Sequence, residues 1–441
     1  MSERRRNGGC ALAERTRLAL AGVPIAEAHG RLRRAVGLTA EASGLRVSLG
    51  HRVLVATRDG DVTAEVVGVR DHDVLLSAYG SLDGAVPGAV VRRCAGDMTL
   101  TVGDSLRGRV LDALGRPIDG NGPISGETVE LDARPPAALA RSRIHQPMPL
   151  GVRAVDTLLA CGRGQRIGIL AGSGVGKSTL LGMLARGAEA DIVVVGLIGE
   201  RGREVREFLE DDLGAARDHV VAVVATSDEP AMMRLRGAQT ATRIAEWYRD
   251  QGAHVLLLID SLTRFAMAAR EIGLTAGEPP VSRGYPPSLF TALPRLLERA
   301  GPGETGTITA LYTVLVEGDD TVGDPVADHA RSILDGHFVL SRSLAQRGHY
   351  PTLDVLASVS RLAGKVLTPE QLALMTDARR DLALAASVRE LVDIGAYTPG
   401  ADPAADDAWR RAPFLDAFLQ QSMHESVRAE DAWTQLAQVM R

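Results

Sequence analysis

Lysine is nearly absent from this chain. Of its 50 basic residues, two are lysines, Lys177 and Lys365, and the rest are arginines. Aromatics make up only 3%, which leaves little material for the stacking platforms that bind single-stranded nucleic acid. The cysteines Cys10, Cys94 and Cys161 are few, odd in number and scattered. They suit neither a disulfide framework nor a metal site and point to a reducing compartment. Apolar runs are short: Val255 to Ile259 is typical, whereas a bilayer span needs about 20 residues. Arg4, Arg5 and Arg6 are followed too soon by Glu14, Arg15 and Arg17 for a secretory leader. A net charge of -5 gives no global pull toward nucleic acid or anionic lipid. Together these absences predict a soluble cytoplasmic protein.

What remains is ordinary globular material. The 441 residues, 45% apolar and 24% charged, are enough for two or three domains with a buried core. Residues 1–30 form an Ala- and Arg-rich arm, helical or disordered, with a weakly amphipathic stretch near Ala11 to Leu20. Residues 31–100 carry short alternating runs such as Val53-Leu54-Val55-Ala56, punctuated by Asp59-Gly60-Asp61 and Asp83-Gly84. That texture predicts a small antiparallel β-barrel or sandwich. A Gly/Pro-rich connector follows, including Gly115-Arg116-Pro117.

Residues 101–366 read as an α/β domain. Apolar strands at Arg166 to Leu170, Ile192 to Ile198, Val220 to Ala225, Val255 to Ile259 and Thr307 to Val316 alternate with helix-length segments. The alternation implies a mostly parallel sheet. Residues 367–441 read as a helical domain that opens with a capping signal at Thr368-Pro369-Glu370.

The chemistry centres on Ala171-Gly172-Ser173-Gly174-Val175-Gly176-Lys177-Ser178-Thr179. Apart from Ala171 in the first position, this is the phosphate-gripping pattern G-x-x-x-x-G-K-[ST]. It follows one predicted strand and opens a helix predicted from Thr179 to Arg186. Glycines let backbone N–H groups turn inward around an anion, and the helix N-terminus adds partial positive charge. Lys177 is expected at the β/γ-phosphates of ATP, with the Ser178 hydroxyl on Mg²⁺. One of the two lysines thus falls where a compact ammonium on a flexible stem is wanted.

Two carboxylates complete the pattern. Asp260 ends the strand Leu256-Leu257-Leu258-Ile259, at the sheet edge where ligands bind, and would hold Mg²⁺ through water. Alone, it could equally cap the turn at Ser261 to Thr263. Glu200 ends the strand Ile192 to Ile198 and could activate a water. It also sits in a charged run with Arg201, Arg203, Glu204, Arg206 and Glu207, so spacing alone leaves a plain surface role open.

Further motifs carry a family resemblance. Gly199-Glu200-Arg201-Gly202-Arg203-Glu204-Val205, Asp260-Ser261-Leu262-Thr263-Arg264-Phe265, Gly284-Tyr285-Pro286-Pro287-Ser288 and Ser332-Ile333-Leu334-Asp335-Gly336-His337 resemble the type III protein export ATPases. The flagellum-specific member is nearest and the injectisome member next. The family is related to the catalytic subunit of rotary ATP synthases. The resemblance runs from about residue 30 to the C-terminus. It implies a RecA-like core and a hexameric ring with ATP sites at subunit boundaries.

It also implies residue roles. Glu200 matches the catalytic glutamate, Arg201 the arginine beside it and Asp260 the Mg²⁺ carboxylate. Tyr350 matches a ring packed on the adenine. Arg361, in Ser358-Val359-Ser360-Arg361, matches the arginine finger that enters the neighbouring subunit's site. Implied partners are a coiled-coil stalk in the ring opening, faced by the Pro-rich loop Gly277 to Ser288, and a stator-like negative regulator on the N-terminal arm. An export gate and chaperone–substrate complexes complete the set, at the cytoplasmic face of the export apparatus.

Rival readings fare worse. A non-catalytic ring subunit would lack Glu200. A nucleic-acid translocase would need a basic, aromatic-bearing N-terminal domain, and residues 31–100 hold one aromatic, Tyr79. A true ATP synthase catalytic subunit usually has Thr at the Ser178 position and an acidic coupling loop.

Overall fold

The computed structural model describes residues 29–96, 98–316 and 323–441. The predicted arm therefore lies outside the described residues, except His29 and Gly30, which already belong to a strand. The chain divides into two compact units, one ending at Asp97 and the other spanning Met98–Arg441.

The first unit is a closed antiparallel barrel. Its strands are β1 (His29–Val36), β2 (Thr39–Ser43), β3 (Arg52–Thr57), β4 (Gly60–Arg70), β5 (Asp73–Ala78) and β6 (Val90–Arg93). They close in the order β1-β2-β5-β4-β3-β6. Period-two alternation drives this. Val53 and Val55 of β3 face inward, as do Val74 and Leu76 of β5, and Leu32 and Val91 fill the same core. Closure leaves no unpaired edge.

The second unit holds β7 (Thr99–Val102), β8 (Val110–Asp112), β9 (Glu127–Glu130), β10 (Arg166–Ala171), β11 (Ile192–Glu200), β12 (Val220–Thr226), β13 (His254–Asp260), β14 (Gly301–Pro302), β15 (Thr307–Leu315), β16 (Gly336–Leu340) and β17 (Leu353–Ser360). β7 pairs with β9. A larger sheet runs β17-β16-β10-β15-β13-β11-β12-β8, with β14 beside β15. It is parallel except at β14 and β17. Helices cover both faces of such a sheet, so its strands read as continuous apolar runs. Ile192 to Gly199 of β11, for example, are all buried. The five strands expected from sequence are present, with ends moved by one or two residues. β8, β16 and β17 extend the sheet beyond them.

Three C-terminal helices, Pro369–Asp393, Pro403–Leu419 and Ala429–Val439, close the unit. Thr368 and Gln371 form the capping box that starts the first. Their apolar residues do not build a core of their own. Ala378, Leu415 and Leu436 join the cluster that contains Leu158, Ile167 and Leu184. No helix among the described residues is long and apolar enough to cross a membrane.

Candidate active site

β10 runs into the phosphate-gripping loop, and the helix Lys177–Gly187 leaves it. Ala171 is the last residue of β10 and fully buried. Extended backbone there needs no glycine, which is why the pattern's first glycine is dispensable. Gly176 is different: its φ of 87° lies in the left-handed region that favours glycine. Gly172 and Val175 are buried, whereas Ser173, Gly174 and Ser178 are exposed and Thr179 is half-buried. The loop thus turns one side inward and leaves the other open.

Lys177 is the centre of the cluster. Its Nζ donates to Glu200 Oε1 at 2.9 Å and to Asp260 Oδ1 at 2.6 Å. All three side chains are largely buried, at 13%, 14% and 4% exposure. Burial alone would lower the Lys177 pKa; the adjoining Asp260 and Glu200 carboxylates reverse that and raise it, so the ammonium stays charged. Burial pushes the Asp260 carboxyl up and Glu200 adds to the push, while Lys177 and the Thr313 hydroxyl oppose it.

Backbone geometry aims the carboxylates. Glu200 follows a bulge in β11 where the register against β12 shifts. Gly199 makes that bulge at φ 71°, and a Cβ there would meet Arg264 at 2.8 Å. Bulges commonly re-aim side chains beside active sites. Asp260 does not cap the helix Leu262–Thr275; Ser261 does, accepting from the Arg264 N–H. Asp260 is thereby free to face Lys177.

Tyr350 lies beside the loop. Its ring would be 3.8 Å from a Cβ at Gly176, and it remains 49% exposed. Two other expected residues stand apart from the cluster. Arg201 is exposed and pairs with Glu204 at 3.1 Å. The exposed Arg361 donates to the Leu334 and Arg331 carbonyls, each at 3.2 Å, and its N–H to Asp335 O. The Asp335 N–H in turn binds Arg166 O. Arg361 is therefore level with the start of β10, whereas the loop leaves from its end. At about 3.3 Å per residue the two ends are roughly 16 Å apart.

Three contributors were missed by sequence reasoning. Thr313, on β15, donates to Asp260 Oδ1 at 2.6 Å. Thr352 donates to the Val175 carbonyl at 2.6 Å. Arg264 packs on Gly199 and has a buried Nε without a hydrogen-bond partner among the described residues. The threonines are distant in sequence and carry no local signal. Arg264 lay inside a motif already quoted, Asp260 to Phe265.

A strand–loop–helix phosphate grip at the end of a parallel sheet, with two carboxylates on its lysine, defines a P-loop nucleotide triphosphatase. A family model described as ATP synthase alpha/beta family, nucleotide-binding domain, matches residues 151–360. Another, described as T3SS EscN ATPase C-terminal domain, matches residues 367–438. The flagellum-specific ATP synthase of Pseudomonas aeruginosa is 49% identical over 95% of this chain and 94% of its own. The assembled ATPase EscN from the type III secretion system of enteropathogenic E. coli has a TM-score of 0.89 at 45% identity, covering 93% of this chain and 100% of that one. EscN in complex with its central stalk EscO gives 0.86 at 44%, with the same coverage. The chain belongs to the type III protein export ATPases, P-loop enzymes that use ATP.

Proposed function

We propose that this chain forms a hexameric ring that hydrolyses MgATP at sites between adjacent copies and energises protein export in a flagellar type III apparatus. The observation that carries the catalytic part is Lys177, bridged to both Glu200 and Asp260 beside an open glycine loop. Lys177 and the loop N–H groups from Gly172 to Thr179 grip the phosphates. Tyr350 borders the adenine. Glu200 orients the attacking water and accepts its proton.

The residues present fit Mg²⁺. The Asp260 carboxylate ends its strand beside the loop that carries the Ser178 hydroxyl, and both are hard oxygen donors. That suits an ion held by one or two side chains and the nucleotide's own phosphates. Ser178 and Asp260 would hold it, and it would neutralise charge on the phosphates.

Arg361 completes a neighbouring copy's site, since about 16 Å separates it from the loop end of β10 in its own chain. Arg201 lies at the rim of that boundary. Residues 1–30, 31–100, 101–366 and 367–441 serve as regulator-binding arm, barrel, catalytic domain and helical domain. The Pro-rich loop Gly277 to Ser288 meets a coiled-coil stalk in the ring opening, a reading supported by the complex of EscN with its central stalk EscO. The loop is pinned by the buried Tyr285, over which Arg270 stacks at 5.5 Å, while Val281 is left 60% exposed. A stator-like negative regulator, an export gate and chaperone–substrate complexes are the other partners, and membrane attachment is through them, on the cytoplasmic side.

Glu200→Gln tests the mechanism. ATP binding should persist while turnover falls at least about a hundredfold; turnover near the unaltered rate would remove Glu200 from its role. The flagellar assignment is tested by expression in cells lacking their own flagellum-specific ATPase, where swimming should return. Restored injectisome secretion without motility would assign the chain to that pathway instead.

A further inference from the structure

One buried residue from the C-terminal helical segment reaches both ends of the phosphate-gripping helix, with its backbone N–H at one end and its side-chain amide at the other. Gln421 follows the helix Pro403–Leu419 and is 4% exposed. Its backbone N–H and both polar atoms of its side-chain amide are hydrogen-bonded. Its backbone N–H donates to the Tyr350 carbonyl at 2.9 Å. Its Nε2 donates to the Gly151 and Glu425 carbonyls at 2.8 and 2.9 Å, and its Oε1 accepts from the Arg153 N–H at 2.9 Å.

The contacts to Tyr350 and Gly151 lead to the two ends of the loop helix. Tyr350 stands against Gly176, at the start of the helix Lys177–Gly187, and Thr352 ties the same turn to Val175 O. Gly151 lies at the other end of the helix, so close that a Cβ on it would be 2.6 Å from Gly187 Cα. The Asp156 carboxylate clamps the Leu150 and Gly151 N–H groups at 2.7 and 2.8 Å. The Arg153 side chain fastens the helical segment through Phe418 O and Glu425.

We propose that Gln421 is a positioning residue for nucleotide binding: it holds the Tyr350 ring in register with the loop helix and ties both to the C-terminal helices. The proposal rests on the reading of Tyr350 as the adenine neighbour. A buried side-chain amide with three partners has one orientation, because rotating it leaves donors facing donors; it thereby fixes where the residue's own backbone N–H meets the Tyr350 carbonyl. A shift of the C-terminal helices must therefore move Tyr350, or Gly151, or both. Gln421 acts on the ring and not on the reacting atoms, so its removal should weaken adenine-dependent binding more than the chemical step.

The test uses full-length Gln421→Met, which keeps the length and loses the amide, beside Tyr350→Ala and the double variant. The expected result for Gln421→Met is a KM for ATP raised about tenfold with kcat changed less than about twofold, and competition by inorganic tripolyphosphate unchanged. The double variant should be no worse than Tyr350→Ala alone, since the two act as one unit. Three results overturn the proposal. One is an unchanged KM. Another is parallel loss of kcat, ATP binding and tripolyphosphate binding, which marks Gln421 as structural only. The third is fully additive effects in the double variant. If Tyr350→Ala itself leaves the KM unaltered, the adenine reading fails and the proposal falls with it. A raised KM in Tyr350→Ala beside a normal Gln421→Met sinks the proposal alone. Should Gln421→Met fail to fold, Gln421→Asn, which withdraws the same amide by one methylene, is judged by the same criteria.

Discussion

At the scale of single residues, Lys177 has two tasks that separate experimentally. In the proposed mechanism it is the phosphate ligand, and in the structure it neutralises two buried carboxylates. Lys177→Met keeps the stem and removes the charge. Glu200 and Asp260 are then left facing each other at 14% and 4% exposure, and breaking a buried pair in this way costs about 3 kcal/mol. The nucleotide-free variant should melt at lower temperature than the unaltered protein. The pH dependence has a definite sign. Burial, with the Glu200 charge adding to it, raises the folded pKa of the Asp260 carboxyl above its ordinary value, and removing the opposing Lys177 ammonium raises it further, so protonation favours the folded state. The deficit should shrink as pH falls from 8 toward 5 and widen as it rises. Thermal unfolding at the two pH values checks this; a pH-independent deficit would mean that the two carboxylates do not confront one another.

At the scale of elements, the fold was legible wherever burial writes a long periodic signal. The strands from Arg166, Ile192, Val220, His254 and Thr307 are apolar runs several residues long, and the barrel strands alternate inward and outward faces. Short elements escaped. β8 is three residues, Val110–Asp112, inside what reads as a Gly/Pro connector. It forms because the connector is locked by an ion pair. Arg109 donates to Asp119 through Nε at 2.6 Å and Nη2 at 2.9 Å, and the Val110 N–H adds a third bond at 3.0 Å. Thr313, Thr352 and Gln421 were equally silent, since their meaning lies in partners far away in sequence. The site residues that could be read were those in contiguous motifs at strand ends. The lock predicts an acid profile. The Arg109 hydrogen bonds hold the Asp119 carboxyl well below the usual carboxylate range against the opposing effect of burial. Its stabilisation is therefore full well above the ordinary carboxylate value of about 4, begins to fall as pH drops below that value, and is gone once pH has passed the lower folded value. Asp119→Asn should cost about 3 kcal/mol at neutral pH, with the gap to the unaltered protein narrowing in strong acid. Urea unfolding at pH 7 and pH 3 measures both.

For the whole molecule, the decisive geometry is the separation of Arg361 from Lys177 in one chain. β16 and β10 are parallel, with Gly168 opposite His337 and Ala171 opposite Leu340. Arg361 is tied to Leu334, before β16 begins, and the loop starts where β10 ends. The roughly 16 Å between these levels means that a finger role requires a second copy. Mixing inactive variants tests this directly. In the proposed mechanism Glu200→Gln lacks the water-activating carboxylate, and Arg361→Ala lacks the finger. Each alone should form rings with little turnover, because every boundary lacks one group. In an equal mixture, some boundaries pair an intact Glu200 from an Arg361→Ala copy with an intact Arg361 from a Glu200→Gln copy. With random assembly that is roughly a quarter of them, because ring contacts are head-to-tail and each boundary draws one surface from each neighbour. Activity should therefore reappear on mixing, to about a quarter of the unaltered rate, and rise with protein concentration as rings form. If Arg361 served its own chain's site, every copy in the mixture would carry a defective site and mixing would restore nothing. Activity regained on mixing thus requires a catalytic centre divided between two copies.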